Sequence, residues 1–247
     1  MVRDSRLGGY GKISVAKAFE VSSNTAFAKI IHENYKDRPE DFVNRLQRMN
    51  LHQELGMPIK GEGKPVLRSP GDKGWSGISL AWMSHGYEVS LTPLQTLAFY
   101  NAIANDGELL RPRLIEEVRE WNRTVQRFDK EVLNPAICSP ETVRKVQQLL
   151  RNVVTEDHGT GHRLHSPYLS LAGKTGTAQK IDDSGKYACG KYVSSFLGFA
   201  PADEPRVVIL VVVDEPKDEH YGGIVAAPAF KKIAHETLNY LNIPPVL

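Results

Sequence analysis

Two short segments carry side chains suited to nucleophilic acyl transfer. The first is Ser22-Ser23-Asn24, and the second, far downstream, is Lys174-Thr175-Gly176-Thr177. A hydroxyl attacks an amide only when a base takes up its proton, and the resulting acyl group must then be resolved. Hydroxyl, carboxamide and ammonium groups can supply that proton transfer and stabilise the charge that develops. Each segment also has a plainer reading. Ser22-Ser23-Asn24 is good helix-capping sequence, and Lys174-Thr175-Gly176 fits a solvated strand end with a bulge glycine. Three-residue patterns arise by chance, so neither segment decides anything alone.

The surrounding periodicity places both on defined elements. A helix begins near Ser14 with Val15, Ala18 and Phe19 on one side, and Ser22-Ser23-Asn24 interrupts it; these residues favour caps and turns over helix interiors. A second helix runs through Phe27, Ile30 and Ile31, and a third is expected over 39–51, with Pro39 in its first turn. Residues 56–77 read as a long loop rich in Gly, Pro, Lys and Ser. Thr92-Pro93-Leu94-Gln95 has the form of a capping box, and Asn105-Asp106-Gly107 ends the helix that it opens. Ser139-Pro140-Glu141 opens another, with Val143, Val146, Leu149, Leu150, Val153 and Val154 at helical spacing.

After Gly159 the pattern changes to strands: Leu171 to Gln179, Tyr192 to Ala200, and Val207 to Val213. The last is an unbroken apolar run and reads as a strand buried on both faces. Pro228 to Leu241 closes the chain as an amphipathic helix with Phe230, Ile233, Ala234, Thr237, Leu238 and Leu241 on one stripe. The expected class is α+β, an antiparallel sheet flanked by helices. Residues 1–158 form the mainly helical part, and 159–247 hold the strands and the last helix.

Composition bounds the function classes. The chain has 247 residues, 41% of them hydrophobic and 24% charged, with 31 basic against 29 acidic side chains. That is ordinary for a globular protein with a sizeable core, and the near balance of charge gives no reason to expect nucleic acid. No run of eighteen apolar residues occurs, and Met1-Val2-Arg3-Asp4 does not begin a signal peptide. Cys138 and Cys189 make no metal-ligand pattern and read as unpaired thiols. His158, His162 and His165 cluster, but Gly159 and Gly161 between the first two argue against a helical His-x-x-x-His metal site. No metal or cofactor is expected. Trp75, Trp82 and Tyr87 read as partly buried packing residues, and residues 214–219 as a solvated turn.

The two motifs, in this order, resemble the Ser-x-Asn and Lys-Thr-Gly motifs of the penicillin-recognising serine enzymes. The flanks sharpen the likeness. Phe19 to Asn24, Gly86-Tyr87-Glu88 through Thr92-Pro93-Leu94-Gln95 to Ala104-Asn105-Asp106-Gly107, and Leu171 to Gln179 resemble the class B high-molecular-weight penicillin-binding proteins. The cell-division transpeptidase is the nearest type and the elongation type the runner-up. The resemblance implies the penicillin-binding transpeptidase or serine β-lactamase-like fold. It implies a D,D-transpeptidase that cross-links peptidoglycan stem peptides through an acyl-serine, with β-lactams acylating the same serine.

It also implies roles. Ser22 would relay a proton toward the leaving amine, and Asn24 would hydrogen-bond the base lysine and the substrate amide. Lys174 would supply positive potential, Thr175 and Thr177 would bind the substrate carboxylate, and Gly176 would leave the strand edge open to the substrate. The Thr177 N–H would be one oxyanion donor. Divisome proteins would be partners of the parent protein, which would be membrane-anchored with this domain extracytoplasmic.

The family's nucleophile motif, Ser-x-x-Lys, occurs once, as Ser14-Val15-Ala16-Lys17. It ends five residues before Ser22, whereas the family separates these motifs by several tens of residues. Ser14 is therefore expected to be a helix cap and Lys17 an exposed side chain. The nucleophile helix and first strands are expected to be absent, so that the chain is a fragment inactive alone. Val207 to Val213 would then be an open edge that invites a second copy of the chain. The competing readings are a non-catalytic peptide-binding or divisome-interaction module and a β-lactam-sensing or hydrolysing relative.

Overall fold

A computed structural model describes residues 2–182 and 187–245. In chain order the first elements are α1 (Val15–Glu20), α2 (Asn24–Tyr35), α3 (Pro39–Arg48), β1 (Val66–Leu67), α4 (Ser79–Met83) and β2 (Val89–Ser90). Then come α5 (Pro93–Ala104), β3 (Leu109–Leu110), β4 (Glu117–Glu120), β5 (Arg123–Arg127), β6 (Val132–Asn134) and α6 (Pro140–Thr155). The last are β7 (Ala172–Ile181), β8 (Tyr187–Ala200), β9 (Val207–Asp214), α7 (Gly222–Val225) and α8 (Ala227–Tyr240). No helix among the described residues is long and apolar enough to cross a membrane.

The chain divides into two compact units. One comprises Met1–Ser5 with Asn24–Val143, the other Arg6–Ser23 with Arg144–Leu247. This division differs from one at 158/159, because α1 and most of α6 group with the strands.

In the first unit, α5 starts on the capping box that its sequence announces. The Thr92 hydroxyl accepts from Gln95 N at 3.1 Å, and Gln95 Oε1 accepts from Thr92 N at 2.8 Å. The helix ends where Asp106 and Gly107 turn left-handed, at φ 53° and 96°, and Gly107 N donates to Ala102 O at 2.7 Å. The third helix stops at Arg48, short of the expected 51. Asn50 adopts φ 62° and Leu51 N donates back to Leu46 O, a left-handed cap that asparagine tolerates. Trp82 packs edge-on against Tyr87, with ring centroids 5.2 Å apart.

The region expected to be mainly helical also holds six short strands in three antiparallel pairs: β1–β2, β3–β6 and β4–β5. Residues 56–77, read as loop, contain β1. The Glu62 carboxylate braces that stretch by accepting from Leu55 N at 2.6 Å and Met57 N at 2.9 Å. Two-residue ladders are too short to leave an alternating pattern in the sequence.

In the second unit, β7, β8 and β9 form an antiparallel sheet in that order. Phe196 of β8 and Phe230 of α8, both fully buried, meet at 4.7 Å between ring centroids. Val154, Leu164, Leu171, Ala200, Ala227, Ala234 and Leu238 complete the core. The buried stripe of α8 is narrower than its sequence pattern: Ile233 is 45% exposed and Leu241 44%.

The apolar strand β9 is not buried on both faces. Val207, Ile209, Val211 and Val213 pack on the core, while Val212 on the other face is 43% exposed. β9 pairs only with β8, so among the described residues it is an edge. A seven-residue run of β-branched and aliphatic side chains reads the same whether one face is covered or two.

Truncating Phe230 to alanine empties the centre of this core. Phe230→Ala is expected to cost about 3–5 kcal/mol, read as a fall in the urea midpoint with an unchanged slope.

Candidate active site

The end of α1 creates the local geometry. Val21 caps the helix, Ser22 follows with φ 55°, and Ser23 is buried. Ser22 N donates to Phe19 O at 3.1 Å and Ser23 N to Ala18 O at 2.8 Å. This is the paired hydrogen-bond pattern of a left-handed helix terminus, where glycine is the usual residue. Serine there pays for its Cβ and in return presents a hydroxyl in a fixed direction.

That hydroxyl meets the strand motif. Lys174 Nζ donates to Ser22 Oγ at 2.7 Å and lies 3.4 Å from Thr175 O. Burial pushes the Lys174 ammonium down to about 8, because removal from water disfavours the charged form. A lysine so placed exchanges its proton near neutral pH, and its partner is a serine hydroxyl.

Strand alternation divides the rest of the motif. Lys174 and Gly176 point to one side of β7, Thr175 and Thr177 to the other. The Thr175 hydroxyl donates to Thr160 Oγ1 at 3.0 Å, and Thr177 Oγ1 accepts from Gly222 N at 3.2 Å. Both threonines line a cavity of about 400 Å³ with Thr160, Arg163 and Tyr221. Gly176 is fixed by its register partner: a Cβ there would lie 2.4 Å from Ser195 Oγ. A side chain there would need the Ser195 hydroxyl of the neighbouring strand to rotate away. No other strand pairs with the outer edge of β7 among the described residues.

Asn24 falls in the other compact unit, where it opens α2; its amide donates to Arg3 O at 3.4 Å. Ser14 adopts extended angles as the N-cap of α1, and its hydroxyl accepts from Lys17 N at 3.1 Å. Lys17 is half-buried and not exposed as expected. Cys138 and Cys189 are free thiols. His162 and His165 face each other edge-on at 5.6 Å. His158 turns instead to Glu20, with Nε2 and Oε2 2.6 Å apart. Glu20 and Thr160 were not singled out by sequence reasoning; the only hint was a charged residue at a position of α1 that faces inward.

The model of the penicillin binding protein transpeptidase domain matches residues 3–235. The chain belongs to that family. The transpeptidase domain is 35% identical over 248 residues to the probable peptidoglycan D,D-transpeptidase PenA of Neisseria gonorrhoeae, covering 99% of the chain and 39% of that protein. Stage V sporulation protein D of Bacillus subtilis is 32% identical, over 96% of the chain and 36% of its own length. The chain therefore spans well under half of these curated relatives.

Among solved structures, penicillin binding protein 3 of Mycobacterium tuberculosis, complexed with aztreonam, superposes with a TM-score of 0.83 at 31% identity. That match covers 99% of this chain and 55% of the other. The transpeptidase domain of penicillin-binding protein 3 from Burkholderia pseudomallei gives 0.80 at 34% identity, covering 97% and 68%.

Two measurements test the geometry. The Lys174 side chain should titrate near 8 by NMR of its ε-carbon. An unfolded lysine holds its proton to about 10.4, so between these values the unfolded state binds more protons. Stability should therefore rise with pH through that window, the penalty being fully present below it, and Lys174→Met should abolish this contribution. At Ser22, glycine and alanine both remove the hydroxyl, but only glycine relieves the left-handed backbone. Ser22→Gly should be about 1 kcal/mol more stable than Ser22→Ala, the reverse of their order within a helix.

Proposed function

We propose that this domain serves acyl transfer in peptidoglycan cross-linking, as part of a serine-type D,D-transpeptidase of septal wall synthesis. The observation that carries the proposal is the Lys174–Ser22 contact at 2.7 Å, beside the unpaired outer edge of β7. An ammonium close to its titration point can hand a proton to Ser22 and receive it back. Ser22 would pass that proton to the amine that leaves when an acyl-serine forms. A peptide lying along the β7 edge would pair by main-chain hydrogen bonds. The same groove would admit β-lactams. Thr175, Gly176 and Thr177 are the proposed substrate-binding residues, and Asn24 is proposed as a catalytic residue alongside Ser22 and Lys174.

The acyl-forming serine and its lysine are assigned to a separate helix of the whole protein. Ser14 supports this assignment, because its hydroxyl is used to cap α1 and its backbone is extended. The parent would be anchored in the cytoplasmic membrane with this domain in the periplasm, among divisome proteins. The open edge of β9 is the proposed site of self-association, since an unpaired apolar strand recruits another.

The 247-residue chain, incubated with a fluorescent penicillin, should give no covalent adduct by intact mass; labelling at Ser14 would overturn the assignment of the nucleophile. In the whole protein, Lys174→Ala should slow acylation by on the order of 100-fold or more. Unchanged acylation would remove Lys174 from the site. Light scattering across a concentration series should show dimers that Val212→Lys dissociates, and a monomer at every concentration counts against pairing at β9.

A further inference from the structure

Glu20 is a carboxylate with a side chain only 7% exposed, two residues before Ser22. Its partners account for both oxygens. Oε2 meets His158 Nε2 at 2.6 Å, and Oε1 accepts from Asn152 Nδ2 of α6 at 2.9 Å. Burial pushes its pKa up, but the bonds from His158 and Asn152 and the charges of His158 and Lys17 outweigh it. The net displacement is below the usual carboxylate range, so Glu20 is ionised and His158 Nε2 carries the proton between them.

The backbone of Glu20 is engaged as well. Its carbonyl accepts from Thr160 N at 3.0 Å, and Thr160 Oγ1 accepts from the Thr175 hydroxyl at 3.0 Å. A closed circuit results. From Ser22 it runs through Val21 and Glu20 to Thr160, across to Thr175, along the chain to Lys174, and back through the 2.7 Å bond to Ser22. Gly159 lets His158 and Thr160 both reach Glu20, because a Cβ there would fall 2.1 Å from Val153 O.

We propose that Glu20, clamped by His158 and Asn152, is a positioning residue that holds the Ser22 hydroxyl against Lys174. The proposal rests on Ser22 and Lys174 being the working pair, and it adds what keeps them together. The turn at Ser22 is strained and follows a helix of only six residues. A one-and-a-half-turn helix has little stability of its own, so its end needs an external anchor. The carboxylate of Glu20 supplies one from α6 and the segment that follows it.

The test reads Lys174 directly, without transpeptidation, so its failure is distinguishable from failure of the functional reading. Glu20→Gln, Glu20→Ala and His158→Gln are compared in the 247-residue chain with Arg151→Ala, which breaks a surface ion pair to Asp203. Loosening the turn exposes the ammonium, so Glu20→Ala should raise the Lys174 titration midpoint by about one pH unit or more, toward the ordinary lysine value. His158→Gln, which keeps a donor for the carboxylate, should leave most of the original midpoint. Arg151→Ala should leave it untouched.

The direction is diagnostic, because loss of a nearby negative charge acting alone would lower a lysine midpoint. A lowered midpoint in Glu20→Gln overturns the proposal. So does an unchanged midpoint in a Glu20 variant with reduced thermal stability, which would leave Glu20 a purely structural residue. If Glu20→Ala does not fold, Glu20→Gln carries the comparison and should likewise raise the midpoint.

Discussion

An ammonium drawn away from water has to find acceptors, and among the described residues Lys174 finds two neutral ones. Its strong contact is the Ser22 hydroxyl at 2.7 Å, and the carbonyl of Thr175 stands at 3.4 Å. Neither carries a negative charge, so the cost of burial is not offset and the group is pushed down to about 8. A carboxylate partner would hold the lysine protonated and spend its proton-transfer capacity. Lys180 illustrates that alternative. It is paired with Asp214 and Glu215 at the far end of the same strand, and its titration is displaced upward. The two lysines differ in sequence position by six residues and in chemistry by burial and by whether an anion faces them.

Holding a neutral hydroxyl against an ammonium demands positional accuracy, because the attraction is weaker than that of an ion pair. The second unit obtains it by bringing backbones close. Gly173, Gly198 and Gly222 leave no room for a Cβ: the nearest atoms would be the Phe196 ring, Ala172 O and Ser195 O, at 2.5, 2.1 and 2.2 Å. These contacts lock β7 onto β8 and seat the start of α7 against both. The strand that carries Lys174 is thereby fixed by backbone, which does not change rotamer. Ser22 is fixed by a left-handed turn, and Glu20 fastens that turn through its carboxylate to Asn152 of α6 and to His158, and through its carbonyl to Thr160.

Much of this was legible before the fold was known, for local reasons. Capping boxes, helix-terminating Asn-Asp-Gly and the 3.6 period of α6 depend on neighbours within a turn, and they appear where the residues place them. The pairing of Ser22 with Lys174 was legible only through resemblance, since nothing in a linear pattern brings residues so distant together. What stayed hidden depends on long-range partners. The short ladders of the first unit need an opposite strand to exist at all. The exposure of Val212 depends on what covers β9, which its own composition does not encode. Glu20 reads as one more charge on a short helix until His158 and Asn152 arrive from elsewhere in the chain.

Ser14 and Lys17 show the converse, a pattern whose meaning backbone conformation decides. A serine and a lysine separated by two residues share a helix face only if both lie within the helix. Ser14 has φ −72° and ψ 163°, so it stands outside α1, and its oxygen is occupied by the N–H of Lys17 itself. The lysine is then the third residue of the helix, with its backbone serving the cap and its side chain directed by a different geometry from one full turn on. As the N-cap of α1, Ser14 turns its hydroxyl back toward the backbone, where it accepts from Lys17 N at 3.1 Å.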